Sequence, residues 1–159
     1  MDKIEIKEKI LNVIRITVFA TAIAQLAVSQ FLIKVTRLAS DELTGIFYFA
    51  FIITGLVTVF SVSRIKDSIG ARFFAVIMNC ITAVCAARYV KMLFADELFF
   101  RNLYYFTDRD TSELELLPLA DRIFSSVPLA FVILGAAIYC LSAVVILALT
   151  LAPIGKKKN

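Results

Sequence analysis

Two cations, Arg88 and Lys91, close the apolar run of CAARYVKMLFADELFF (residues 85–100), and two carboxylates, Asp96 and Glu97, follow them. A guanidinium inside a membrane span marks a functional contact, such as an anion or partner site. One near the end of a span can instead extend to water along its own methylenes. Arg88 lies fifteen residues after Phe73. At about 1.5 Å per residue that is roughly 22 Å, or about 8 Å short of the far edge of a ~30 Å core. Lys91 is one turn higher. Side chains tilt toward the helix N-terminus, here away from the nearer water, so a carboxylate partner would help Arg88. The candidates are Asp41 and Glu42 before the second apolar run, and Asp96 and Glu97 beyond the third. An outer ion pair that fixes this end and a functional contact at Arg88 are both open.

Other chemistry is thinly represented. The chain has no histidine, which removes the usual neutral-pH general base and the commonest transition-metal ligand. Cys80, Cys85 and Cys140 show no C-x-x-C or zinc spacing and read as small apolar core residues. No H-E-x-x-H, G-x-S-x-G or Gly-rich phosphate loop occurs. In DRDTSELE (108–115), Asp108, Asp110 and Ser112 fall at positions 1, 3 and 5 of a calcium loop. The sixth position is Glu113 where glycine is required, however, and the twelfth is Leu119 where glutamate belongs. Ser112 and Glu115 instead form a capping box that opens a short helix, disturbed near Pro118. The expectation is a chain without cofactor or metal that is not an enzyme.

The elements that carry these residues follow from hydropathy. The 159 residues are 60% hydrophobic, with a mean hydropathy of +0.87. Soluble domains run at about 45–50% apolar, and a water-soluble fold of this size could not bury the excess. Four stretches reach the length a bilayer requires: 10–33, 46–62, 71–94 and 127–151. Unpaired backbone amides are excluded from lipid, so each is read as a helix. The reading is an all-α polytopic membrane protein, one domain of four transmembrane helices in an antiparallel bundle, with a short amphipathic helix in the outer 95–126 loop. With both termini inside, the inner side holds ten cations (Lys3, Lys7, Lys9, Arg15, Arg64, Lys66, Arg72, Lys156, Lys157 and Lys158) against four acids (Asp2, Glu5, Glu8 and Asp67). This obeys the positive-inside rule. It also explains the net charge of +4 without a nucleic-acid partner, for which there is no soluble reading domain. Phe94, Phe99, Phe100, Tyr104, Tyr105 and Phe106 place the start of the outer loop at the membrane surface.

Polar residues inside the spans form stripes. Thr17, Thr21, Gln25 and Ser29 recur every four residues, flanked by Ala20, Ala24 and Ala27. Thr54, Thr58 and Ser61 follow in the second span beside Gly55, and Ala136, Cys140 and Ala143 form a small-residue seam in the fourth. Such residues let helices approach closely and bond across the seam. The stripe of the first span is read as helix packing or as the lining of a pore or subunit interface. Asn79 reads as an interhelical hydrogen-bond donor. No acid lies deep in any span, which argues against a pump acting alone.

In its second span the chain resembles the small membrane subunit of TRAP-type (tripartite, ATP-independent, periplasmic) transporters. Asp41, Glu42 and Leu43 precede Gly55 at the family's spacing, over about thirty residues. The family's tryptophan before the acids is absent, with Ser40 there instead, and Arg64-Ile65-Lys66-Asp67 carries no histidine. The resemblance implies a scaffold that braces a larger transport subunit and binds no substrate. The functional expectation is a non-catalytic membrane subunit that assembles laterally with itself or with a larger membrane protein; the rival is a homo-oligomeric pore, sensor or effector. The membrane is expected to be a bacterial inner membrane. The tail KKKN (156–159) also fits a dilysine signal for the endoplasmic reticulum, or simply a positive-inside cluster.

Overall fold

The computed structural model describes the backbone of residues 3–36, 42–95 and 127–152, and the side chains of 4–32, 45–93 and 127–152. It holds four helices: α1 (Lys3–Thr36), α2 (Glu42–Ser63), α3 (Ile69–Ala95) and α4 (Val127–Leu151). All four are long and apolar enough to cross a membrane. The expected outer-loop helix at Ser112, the aromatic cluster beyond Phe94 and the KKKN tail lie outside the described residues.

The first three helices run past the apolar stretches that announce them. α1 begins at Lys3, seven residues before the apolar run. Its polar first turns are supported by Glu5 in the first turn, where a carboxylate favours the helix dipole, and by the Glu5–Lys9 pair at 2.8 Å, the favoured i, i+4 order. α2 and α3 are joined by the short turn Arg64–Asp67. The Ser68 hydroxyl accepts from the Ala71 amide at 3.1 Å and so caps the start of α3. Arg72 Nε closes the turn by donating to the Ile65 carbonyl at 2.8 Å. α2 and α3 are antiparallel, since Thr58 meets Thr82 while the earlier Phe51 meets the later Tyr89.

The helices pack in a ring: α1 on α2, α2 on α3, α3 on α4, and α4 on α1, with no close backbone approach across the diagonals among the described residues. Packing is densest in the α2–α3 and α3–α4 seams and thinnest between α1 and α2. The core holds Leu11, Val18, Leu32, Phe51, Tyr89, Leu93, Leu129, Val132, Tyr139 and Ile146. Only 28–39% of each span is buried inside the chain. The outward faces carry Ile16, Phe19, Ile53, Leu56, Ile77, Phe131, Leu134 and Leu141. A surface of that kind is compatible with hydrocarbon and not with water. The protein is an integral membrane protein.

Candidate interhelical interface

Gln25 is the central polar residue of α1. It is buried, and its Nε2 donates to the Val132 carbonyl of α4 at 2.9 Å. The approach is possible because residue 135 is glycine: a Cβ there would collide with the Gln25 amide. Glycine at 135 thus provides the socket and Gln25 the plug. Gln25 Oε1 has no partner among the described residues.

The stripe Thr17, Thr21, Gln25, Ser29 does not keep to one face. A four-residue step advances about 400°, so each member lies about 40° further round than the last. Thr17 is accordingly exposed and Thr21 half-buried, while Gln25 and Ser29 are buried. Ser29 returns its hydroxyl to the Leu26 carbonyl at 3.0 Å. Gln30 donates to the Tyr48 hydroxyl of α2 at 2.9 Å, a second polar link from α1.

The α2–α3 seam uses hydroxyls and rings. Thr58 donates to the Met78 carbonyl at 3.0 Å and lies 2.7 Å from the Thr82 hydroxyl. A hydroxyl carries one proton, so Thr82 is the donor to Thr58. Above this pair Tyr89 stacks on Phe51, with centroids 6.2 Å apart and planes at 15°, and leans on Tyr48 at 5.5 Å. The Tyr89 hydroxyl is buried and unpartnered among the described residues. Gly55, the glycine of the transporter-like pattern, is buried; a Cβ there would meet only the Thr82 methyl, at 4.0 Å.

Several expectations change. Asn79 is buried, but it donates to the Ala75 carbonyl of its own helix at 2.7 Å rather than across a seam: its short side chain reaches the carbonyl one turn back. Thr54 likewise bonds to Ala50 at 2.7 Å. Ala136 and Ala143 are buried, whereas Cys140 is exposed, because the inward face of α4 runs through Val132, Gly135, Tyr139 and Ser142. The cysteines are not core residues as a group: Cys80 and Cys140 are exposed and Cys85 is half-buried.

Arg88 and Lys91 lie on the exposed surface of α3, away from the bundle interior. Of their expected partners, Asp41, Asp96 and Glu97 and the side chain of Glu42 lie outside the described residues. Sequence reading missed the Gln25–Gly135 fit and the Tyr48–Phe51–Tyr89 cluster. A glycine leading the small run Gly135-Ala136-Ala137 in α4 was the available signal for the first; nothing in the sequence pairs Tyr89 with Phe51.

The chain matches no known protein family, no curated protein and no solved structure.

Proposed function

We propose that the chain is a non-catalytic membrane subunit that assembles laterally, with a second copy or a larger membrane protein, through the outward face of α1. In this reading the four helices alternate in direction, and both termini share the basic side with the Arg64–Arg72 turn. One observation carries it. Thr17, Ala20, Ala24 and Ala27 are all exposed and, at spacings of three and four, form a band about 80° wide whose centre is turned about 130° from the buried side of α1 at Val18 and Gln25. Small residues in such a band let another helix come close enough for backbone packing, which drives association in lipid. Among the deep polar residues, Gln25 and Thr58 bond to neighbouring helices and Asn79 to its own helix, all within the chain. The first two tie helices of this chain together, and the small-residue band is left for a neighbour. Arg88 and Lys91, exposed on another helix, would mark the far end of the same subunit. The resemblance in the second span makes a transport subunit one candidate partner.

The test is purification in mild detergent, with the stoichiometry read by native mass spectrometry. Ala20→Leu with Ala24→Leu should release the chain as a monomer while its helical circular dichroism is kept; an unchanged complex would reject this face. A symmetric homo-oligomer that conducts ions after reconstitution would support the pore reading instead.

A further inference from the structure

The thinnest seam of the ring is not closed. Between α1 and α2, at the basic end, lies a cleft of about 380 Å³, comparable to the lower range of small-molecule sites, about 300–1,000 Å³. Its mouth carries Asn12, Arg15 and Ser63. Ile16 and Val59 form its apolar walls, and Phe19 and Val59 bound both this cleft and an adjacent, smaller apolar cavity of about 90 Å³ that is lined also by Gly55 at mid-span.

Arg15 is half-buried in this mouth, and no acid among the described residues pairs with it. Three cations at this end are engaged: Lys9 is paired with Glu5, Arg64 lies over the Phe60 ring at 4.7 Å, and Arg72 bonds to the turn. The Cα–Cβ direction on α1 points toward its N-terminus, so Arg15 extends naturally to the level where α2 ends, at Ser63. Ser63 closes the second apolar stretch, so this level corresponds to the edge of the hydrocarbon core, within reach of a lipid phosphate.

We infer that this cleft is a site for one anionic phospholipid, its phosphate on Arg15 and Asn12 and one acyl chain laid between α1 and α2. Charge and shape select the occupant together. A guanidinium without a carboxylate calls for a phosphate, which it binds with two donors. At about 90 Å³ the adjacent cavity is too small to take a helix, which is about 10 Å across, but its apolar lining suits part of a hydrocarbon chain. Ser63 donates its proton to the Phe60 carbonyl at 2.7 Å, so its lone pairs remain for a donor on the headgroup. This site is on the α2 edge of α1 and goes beyond the assembly face proposed above.

The experiment uses the full chain in nanodiscs containing equal phosphatidylglycerol and phosphatidylcholine, with retained lipid counted by native mass spectrometry after release. The wild type should keep one phosphatidylglycerol per chain in preference to phosphatidylcholine. Arg15→Gln should lower that preference about fivefold, the factor expected for one basic residue near an anionic surface. Arg15→Lys should keep most of it. Lys66→Gln, which removes the same charge from the exposed turn, should leave it unchanged. Val59→Phe, which fills the cleft, should lose lipid of either headgroup while keeping its helical content. Equal retention of both lipids by the wild type, equal losses in Arg15→Gln and Lys66→Gln, or a second protein chain in place of the lipid would each overturn the site. Because Ala20→Leu with Ala24→Leu leaves the cleft intact, loss of assembly in that variant with lipid retained separates the two proposals.

Discussion

The α2–α3 seam and the attachments of α1 solve the same problem in different ways. A turn of a few residues brings α2 and α3 together, and the seam is then filled along its length by the Thr58–Thr82 hydroxyls and the Tyr48, Phe51 and Tyr89 rings. α1 is held by the apolar packing of Leu11, Val18 and Leu32 and by two polar contacts, Gln25 in the space over Gly135 and Gln30 on Tyr48, and its edge toward α2 has an open cleft at the basic end. Many weak contacts make the first seam tolerant of single changes. The tight Gln25–Gly135 fit makes the second sensitive to one added atom at that point, and the exposed side of α1 is left to lipid and to a neighbour.

The largest effect should therefore come from the smallest substitution. Gly135→Ala forces the Gln25 amide out of its seat and leaves it unpaired in an apolar setting, at a cost of about 2–3 kcal/mol. Reversible unfolding in mixed micelles measures it. Gln25→Ala should remove most of the added penalty in the double variant, and strictly additive losses would break the plug-and-socket description.

Within the dense seam the effects should be smaller and partly reversed in sign. Tyr89→Phe deletes a buried hydroxyl that has no partner, so it should be neutral or stabilising by up to about 1 kcal/mol. A clear loss of stability would mean that this hydroxyl is bonded in the membrane. Thr58→Val breaks the hydroxyl pair but frees the Met78 carbonyl, one turn before Thr82, to take the Thr82 proton. The expected loss is about 0.6 kcal/mol, read by the same unfolding assay. Gly55→Ala, the counterpart of Gly135→Ala on the other side of the ring, meets only a methyl at ordinary contact distance. It should change stability by less than about 0.5 kcal/mol, helix propensity offsetting any crowding. If Gly55→Ala proved as damaging as Gly135→Ala, the contrast between the two seams would fail.

The four helices were legible because hydropathy over twenty residues is a strong signal, and α4 begins and ends where its apolar run does. The start of α1 was not, since a helix continues into water wherever its backbone bonds can, and Glu5 and Lys9 support it there. The polar stripe of α1 was visible as spacing, but a period of four drifts round a helix of 3.6 residues per turn. Thr17 and Gln25, two such steps apart, are therefore separated by about 80°, enough to leave one exposed and the other buried. Asn79 was correctly placed as a deep polar residue; its choice of Ala75 over another helix depends on reach, which spacing does not encode. The Gln25–Gly135 fit depends on which helices adjoin, and one-dimensional periodicity carries no such information.

The most direct measurement places a photo-activated cross-linking side chain at Ala24 in the full chain, in native membranes, with Ile77 on the exposed side of α3 as the comparison site. If α1 faces a neighbour, irradiation at Ala24 yields a discrete protein adduct and irradiation at Ile77 yields lipid adducts only. Lipid adducts alone at both positions would contradict lateral assembly through α1.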